Sequence, residues 1–292
     1  MNLSRIAFAS GLLAFALSAP AHAELLDGSA FASITHVTIT LQEENPLDSI
    51  TPSVTWASPG TGAKPYAFSV LNSISTVDGS GHRSETRDDK LAPAIGANIF
   101  TPTSSSLTNG TASSQGLIAS NGISSQVHVS IDQGNPTHSQ EQSANVYVYP
   151  ADSYFELSPF TRITVTGSYA TSVASAGTGE WPTFASVYGG LRLGSDLDTS
   201  VSFYFQSARF FAPDFETGGA LPGDPTPRSG TFTLSLSNTT SNSTYGVLDL
   251  RVNTSAMVRS VASVPEPEAI ALMLAGLGVA SVSARRRQQK VG

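Results

Sequence analysis

The sequence predicts a mostly β protein whose body is an antiparallel β-sandwich, and a jelly roll is one of the strand arrangements that fit the pattern. Three observations predict this class. Apolar and polar residues alternate along many stretches, turn-forming residues separate most of those stretches, and residues 24–263 show no sustained apolar pattern at helical spacing. We expect about nine to twelve strands in this body, with an apolar segment of a different kind at each end of the chain.

The first 23 residues have the pattern of a secretory signal peptide. A short basic region with Arg5 precedes an apolar core over residues 6–17, and the segment ends in Ala21-His22-Ala23. Signal peptidase accepts small residues such as Ala21 and Ala23 at these two positions, so we expect cleavage after Ala23. The apolar core is too short to span a bilayer. The body of the protein is therefore expected to begin at Glu24, outside the cytoplasm.

The body, residues 24–263, alternates apolar and polar residues with the period of a half-buried strand. The stretches "HVTITL" from His36 and "QVHVSI" from Gln126 show the alternation most plainly, and "NVYVY", "TRITVTG", "SVSFYFQ" and "GTFTLSLSN" repeat it. Most of these runs are separated by turn chemistry such as Asn45-Pro46, Asp78-Gly79, Asn121-Gly122 and Pro222-Gly223-Asp224-Pro225. The pattern predicts one β-sandwich.

Two polar stretches interrupt the alternation. The run "GSGHRSETRDDK", residues 79–90, is polar throughout and predicts a loop in solvent. Residues 101–122 are rich in small polar side chains, which fits either a long loop or a linker between two β units. We favour the loop, because the preceding residues offer only about three strands, too few to close a core.

The other end of the chain has the properties of a membrane anchor. Residues 269–284 carry no charge and would form a helix of about 24 Å, against a hydrocarbon core of about 30 Å. Arg285, Arg286 and Arg287 can reach the headgroups and are expected on the cytoplasmic side. Pro265 and Pro267 remove backbone donors and keep the segment before the helix extended, as binding to a processing enzyme requires.

The order of these parts resembles a known sorting signal. Val264-Pro265-Glu266-Pro267, an apolar segment containing "ALMLAGLG", and Arg285-Arg286-Arg287 resemble the PEP-CTERM signal of Gram-negative bacteria over residues 264–290. The resemblance implies that Pro265, Glu266 and Pro267 are recognised by exosortase, a membrane protease or transpeptidase with a cysteine nucleophile. It also implies an inner-membrane stage before delivery to the cell surface or extracellular matrix, since members are associated with exopolysaccharide and biofilm matrix. Glu268 and Ala269 depart from the small polar residue and aromatic found in many members.

Composition excludes several functions. Without Arg5, Lys290 and the three tail arginines, 10 of the 15 basic residues remain, and without Glu266 and Glu268, 20 of the 22 acidic residues remain. The body therefore has a formal charge of −10, which repels nucleic acid and also acidic polysaccharide unless divalent cations bridge the two. The chain has no cysteine, so thiol catalysis and cysteine-ligated metal are excluded.

The sequence contains no catalytic signature. The motifs of hydrolase nucleophile elbows, zinc proteases, phosphate-binding loops, dinucleotide folds and EF-hands are all absent. The histidines of the body, which are His36, His82, His128 and His138, have no metal-ligand spacing. We therefore predict no catalytic residue, no metal site and no cofactor.

Two sets of residues keep ligand binding open. Calcium could use acidic loops at Glu43, Glu44, Asn45 and Asp48, at Asp88 and Asp89, at Asp196 and Asp198, or at Asp214 and Glu216. A sugar-stacking platform could use Trp56, Tyr66, Tyr147, Tyr149, Trp181, Tyr188 and Tyr204. For both sets we favour the simpler interpretation, which is solvated carboxylates and packed rings.

Together these observations predict an exported, non-enzymatic protein of the cell surface or extracellular matrix that is structural or associated with exopolysaccharide. Its expected partners are signal peptidase, exosortase, the inner membrane during sorting, and exopolysaccharide. Two alternatives stay open: a calcium-dependent, carbohydrate-binding adhesin, and a matrix-modifying glycoside hydrolase with its carboxylates in the acidic loops.

Overall fold

A computed structural model describes residues 25–260, apart from 48, 57–66, 79, 94–98, 133–139, 153, 177–182, 195–198, 210–211, 214–219 and 222. The predicted signal peptide, sorting motif and membrane helix lie outside these residues. Within the described ranges, no helix is long and apolar enough to cross a membrane.

The described chain folds into seventeen β-strands, more than the nine to twelve expected. Their bounds are β1 Leu25–Glu43, β2 Val54–Trp56, β3 Ala67–Val77, β4 Arg83–Arg87, β5 Lys90–Pro93, β6 Thr103–Asn109, β7 Ala112–Ala119, β8 Gly122–Asp132, β9 Gln140–Asp152, β10 Tyr154–Leu157, β11 Thr161–Ala176, β12 Thr183–Leu193, β13 Thr199–Arg209, β14 Ala212–Pro213, β15 Ala220–Leu221, β16 Arg228–Asn238 and β17 Thr244–Ser260. The prediction of a mostly β chain is confirmed.

The strands form two large antiparallel sheets. The first sheet has the order β16-β11-β1-β8-β7-β6, and the second has the order β13-β12-β17-β9-β3-β4. Three further strands join the second sheet: β10 pairs with β17 and with β2, and β5 pairs with β3. The short strands β14 and β15 pair with each other. The first strand of the described chain, β1, and the last, β17, both lie inside their sheets with a paired strand on each side.

The sheets pack face to face in the manner of a sandwich. Strand β1 lies against β17 and β12, and β8 lies against β9 and β17. Alternate residues of these strands fill the space between the sheets, and the largest fully buried side chains there include Ile34, Phe68, Phe155 and Leu250. Because β6, β7 and β8 are consecutive neighbours in one sheet, this half is a meander and not the pair of Greek keys that defines a jelly roll.

The expected loop over residues 101–122 is wrong, because most of it forms the hairpin of β6 and β7. Strand β7 alternates buried and exposed positions, but its buried residues include Ser114 and Gly116 rather than large apolar ones. A Cβ at Gly116 would lie 2.3 Å from Val70 and 2.9 Å from Val146, both in the opposite sheet. The sheets approach so closely at this point that only small residues fit. The strand therefore lacks the alternation of large apolar residues by which a strand is predicted.

A buried polar cluster joins the same hairpin to the second sheet. Asn72 of β3 donates from Nδ2 to Ser105 Oγ at 2.9 Å and accepts from Ser114 Oγ at 2.5 Å. Ser105 Oγ also donates to the carbonyl oxygen of Asp88 at 2.6 Å. Since each buried polar group has a partner, small polar side chains replace an apolar core at little cost.

The expected solvent loop over residues 79–90 is partly wrong. Residues 83–87 form β4, which pairs with β3, although all five of its side chains are exposed. Arg87 donates to Glu85 at 2.7 Å on this surface. A strand at the edge of a sheet whose side chains are all polar and exposed shows no apolar alternation, so the pattern predicted a loop.

The turn between β3 and β4 is held by Asp78. Its Oδ1 accepts hydrogen bonds from Ser80 Oγ at 2.6 Å, Ser80 N at 2.9 Å and His82 N at 3.0 Å. Hydrogen bonds from the Ser80 side chain, the Ser80 backbone and the His82 backbone hold the pKa of Asp78 below its ordinary value of 3.8.

We expect this turn to loosen in acid. A carboxyl group whose pKa is lower in the folded state stabilises the fold above its unfolded pKa, and that contribution is lost as the pH falls through the folded pKa. An NMR titration should give Asp78 a midpoint below 3.8, and the backbone amides of Ser80 and His82 should exchange faster below that midpoint. A titration of Asp78 at or above its ordinary pKa would contradict the assignment.

Strand β1 contains a bulge between Thr35 and Thr38, where the pairing with β11 shifts register. His36 lies in the bulge with a φ of 55°, and the backbone N–H of Val37 donates to Asn121 O at 2.9 Å. The predicted strand from His36 is thus the second half of β1, and the bulge ties it to the turn before β8.

Candidate functional site

The outer face of the second sheet brings together tyrosines from three strands. Tyr147 and Tyr149 lie on β9, where their rings stack at 4.7 Å with an angle of 19° between the planes. Tyr188 on β12 is directly opposite Tyr204 on β13. Residues two apart on a strand share a face. Strand pairing therefore brings these tyrosines together on one face, although they are far apart in sequence.

Arg251 of β17 is the centre of this group. It is directly opposite Tyr188 in the pairing of β12 with β17, and its guanidinium carbon lies 5.4 Å from the centre of the Tyr188 ring. Its Nε donates to Asp249 Oδ1 at 2.6 Å, its Nη2 donates to Asp249 Oδ2, and its Nη1 donates to the Tyr147 hydroxyl at 3.4 Å. The side chain is therefore fixed from three directions.

These contacts also fix the charges of the group. Burial opposes the charge of Arg251, but the hydrogen bonds and the negative charge of Asp249, with a smaller contribution from Tyr147, outweigh burial and raise the pKa of Arg251. Burial raises the pKa of Tyr147, so its phenol is neutral at physiological pH. Asp249 is only 6% exposed although it points away from the core, because Arg251 covers it.

A cavity of about 220 Å³ opens above this group and is called the tyrosine cavity below. It is lined by Tyr147, Ser186, Tyr188, Arg192, Tyr204, Arg251 and Asn253. Complete small-molecule sites usually measure about 300–1,000 Å³. The tyrosine cavity is therefore suited to one ring-sized part of a larger molecule.

The lining of the tyrosine cavity is rich in hydrogen-bond donors. A guanidinium has five N–H groups, and the contacts of Arg251 with Asp249 and Tyr147 occupy three of them, which leaves two. Arg192, the amide of Asn253 and the hydroxyl of Ser186 add further polar groups. Among the described residues that line the tyrosine cavity there is no carboxylate, so they do not supply the paired acids that hydrolysis of a glycosidic bond requires.

A second, more open cavity of about 440 Å³ lies on the same face and is called the β3 cavity below. It is lined by Leu71, Asn72, Ser73, Arg87, Asp89, Asn145, Tyr147, Phe184 and Asn253. Tyr147 and Asn253 line both cavities, so the two cavities are adjacent. Of the described residues in the two linings, Asp89 is the one that carries a carboxylate.

The outer face of the first sheet offers less chemistry despite a larger depression of about 540 Å³. His128 Nδ1 lies 3.1 Å from Asp27 Oδ1, and Ser29 and Ser113 are the residues directly opposite His128 on the two neighbouring strands. Among the described residues, no hydrogen bond joins His128 to either serine. The pair therefore lacks the activated nucleophile of a catalytic triad.

The other sequence candidates are separated by the fold. Trp56 packs edge-on against the buried Phe155 ring at 5.3 Å and lines neither cavity. Glu44 pairs with Arg162 at 2.5 Å and Asp88 pairs with Lys90 at 2.7 Å. The described part of the chain contains no group of three or more histidine or acidic residues placed to hold a metal. Outside the described residues lie Asp48, Tyr66, His138, Trp181, Asp196, Asp198, Asp214 and Glu216.

Sequence reasoning named four of the tyrosines on this face but missed Asp249, Arg251 and Asn253. The signal was present in "VLDLRVNTS", where these three polar residues alternate with the buried Leu248, Leu250 and Val252. Their partners come from β12 and β9, and only the strand order shows that.

Comparison with known families matches residues 263–287 to the PEP-CTERM protein-sorting motif. The predicted resemblance of the tail is thereby confirmed. The motif indicates secretion through the exosortase pathway, with exosortase as the processing partner and a transient stage at the membrane. No curated protein and no solved structure matches the chain.

Proposed function

We propose that this PEP-CTERM protein, exported through the exosortase pathway, works outside the cell as a non-enzymatic component of the cell surface or extracellular matrix that binds polysaccharide. The observation that carries the proposal is the tyrosine cavity, where aromatic rings and fixed hydrogen-bond donors surround a space of about 220 Å³.

Sugar rings match this combination of groups. Each ring has an apolar face of C–H groups that packs on an aromatic side chain, and a rim of hydroxyls that both donate and accept hydrogen bonds. Tyr147 and Tyr204 are half-buried and provide ring surface, whereas Arg251 and Asn253 provide donors. Because Asp249 and Tyr147 hold Arg251 in place before a ligand arrives, little side-chain entropy is lost on binding.

Binding without cleavage is favoured by the distribution of carboxylates. A glycoside hydrolase needs two carboxyl groups on opposite sides of the scissile bond, about 5–9.5 Å apart. Within the part of the chain that the structure describes, Asp89 is the one carboxylate residue in the two cavity linings, and its Oδ1 accepts a hydrogen bond from the backbone N–H of Asn72 at 3.3 Å. This arrangement supports a binding protein over the hydrolase alternative.

The substitution Tyr204→Ala is expected to weaken polysaccharide binding by about tenfold, because it removes ring surface from the tyrosine cavity. The measurement is affinity of the mature exported protein for the exopolysaccharide of the producing cells. Tyr245→Ala is the matched control, since Tyr245 is 45% exposed on β17 and lies outside both cavities.

Two results would count against the proposal. Equal losses of affinity in the two variants would show that the tyrosine cavity is not the binding site. New reducing ends, released when the wild-type protein is incubated with the polysaccharide, would show a hydrolase.

A further inference from the structure

We propose that the tyrosine cavity and the β3 cavity form one groove that binds consecutive sugar units within an uncharged polysaccharide chain. This inference rests on the proposed function and adds the length, position and charge of the ligand. It predicts a protein that recognises the interior of a polymer rather than a chain end or a free sugar.

The first step is the continuity of the groove. Leu71 on β3 is directly opposite Tyr147 on β9, Tyr147 is opposite Asn253 on β17, and Asn253 is opposite Ser186 on β12. These four residues form a line across four neighbouring strands. With strands about 4.8 Å apart, the line is about 14 Å long. One sugar ring is shorter than this line, so a ligand that follows it must have more than one unit.

The second step is the position of Tyr147. It lines both cavities, and its ring is held by stacking on Tyr149 at 4.7 Å and by the hydrogen bond from Arg251. A fixed ring at the junction gives neighbouring sugar units a common surface. The cavities would therefore be filled by adjacent units of one chain.

The third step is the different character of the two cavities. The tyrosine cavity is smaller and has the greater number of aromatic rings and fixed donors. The β3 cavity is larger, and its apolar surface includes Leu71, which is 39% exposed. The tyrosine cavity is thus suited to selecting a sugar unit, and the β3 cavity adds contact area with a less exact fit.

The fourth step is the charge of the groove. The cations in its lining are Arg87, Arg192 and Arg251. They are matched in number by three anions, since Arg87 pairs with Glu85, Arg251 pairs with Asp249, and Asp89 lies in the lining. The described residues that line the groove, counted together with Glu85 and Asp249 beside them, therefore carry no net formal charge, within a body of formal charge −10. An uncharged polymer meets no electrostatic opposition there, whereas an acidic polymer is repelled.

The test uses size-separated fragments, from disaccharide to octasaccharide, of the neutral exopolysaccharide fraction of the producing cells. Isothermal titration of the mature exported protein should give an affinity that rises by about tenfold or more with length and then levels off once both cavities are filled. Fragments with a chemically reduced end should bind as well as untreated ones, because the proposed groove holds interior units of the chain and not its end.

Two variants locate the subsites. Tyr204→Ala should lower the affinity for every fragment, whereas Leu71→Ala should lower octasaccharide affinity about fivefold more than disaccharide affinity. Leu91→Ala is the matched control for Leu71→Ala, since Leu91 is 63% exposed on the neighbouring β5 and lines neither cavity.

The outcomes separate the two proposals. If no fragment binds and the intact polymer does not bind, the proposed function itself fails. If fragments bind with an affinity that does not depend on length, or only with an intact end, the function stands and the groove is wrong. Stronger binding of an acidic polysaccharide fraction would overturn the assignment of an uncharged ligand.

Discussion

Alanine at Pro265, Glu266 and Pro267 together is expected to abolish processing of the tail, so that the exported protein retains residues 285–287. The two prolines lack backbone donors and fix φ, so the sequence predicts a segment that stays extended for a processing enzyme, whereas alanines would allow the predicted apolar helix to continue through it. Intact mass of the protein, compared between cells with and without exosortase, measures the outcome.

The control for this variant is Glu268→Ala, which changes the neighbouring residue and leaves the Pro-Glu-Pro sequence in place. It should be processed like the wild type. If the triple variant is also processed, these three residues are not what exosortase recognises. If Arg285, Arg286 and Arg287 are retained in the wild type as well, whether or not exosortase is present, the tail is a lasting membrane anchor.

Gly122→Ala should produce the largest loss of stability from a single added methyl group. A Cβ at this first residue of β8 would lie 2.3 Å from the carbonyl oxygen of Ile34 and 2.9 Å from the Cα of Thr35. Both atoms belong to the backbone of β1 beside its bulge, so relief requires a change in strand pairing rather than a side-chain rotation. We expect the free energy of unfolding to fall by about 3 kcal/mol, with a melting temperature about 6–12 °C lower.

Gly28→Ala is the matched control, because Gly28 is also a strand glycine of the first sheet. A Cβ at Gly28 would meet its nearest neighbours at 3.4–3.5 Å, which is ordinary van der Waals contact. Its stability should stay within about 0.5 kcal/mol of the wild type. If thermal melts give Gly122→Ala and Gly28→Ala the same melting temperature, β1 and β8 separate more easily than the packing implies.

Sequence alone was sufficient for the strands whose buried positions hold large apolar residues. The second half of β1 follows from the partly buried Ile39, and β8 and β16 follow from the buried Val129 and Leu234, each with its alternating neighbours. The same rule failed at β7, where Gly116 and Ser114 face the opposite sheet at a distance too short for larger side chains. It also failed at β4, whose exposed side chains have no apolar face to alternate with.

The candidate site was harder to predict than the fold for a different reason. Tyr147, Tyr188 and Tyr204 are visible in the sequence, but their grouping depends on β17 lying between β9 and β12. Nothing local to Arg251 indicates that a tyrosine more than a hundred residues earlier accepts its hydrogen bond. Pairings between strands far apart in sequence are set by the global topology, which alternation does not encode.

The interior position of β17 has a consequence for the timing of assembly. Secretion delivers the chain from its N-terminus, so this strand emerges last, and until it inserts, β12 with β13 and β9 with β3 are unconnected pieces. Arg251 and Asn253 arrive with it, and only four residues separate Ser260 from Pro265, whose Cα atoms are therefore about 18 Å apart at full extension. We therefore expect translocation, closure of the second sheet and completion of the proposed groove to be nearly simultaneous. On that expectation a stalled chain has no complete groove, and exosortase meets a body whose last described strand has just been translocated.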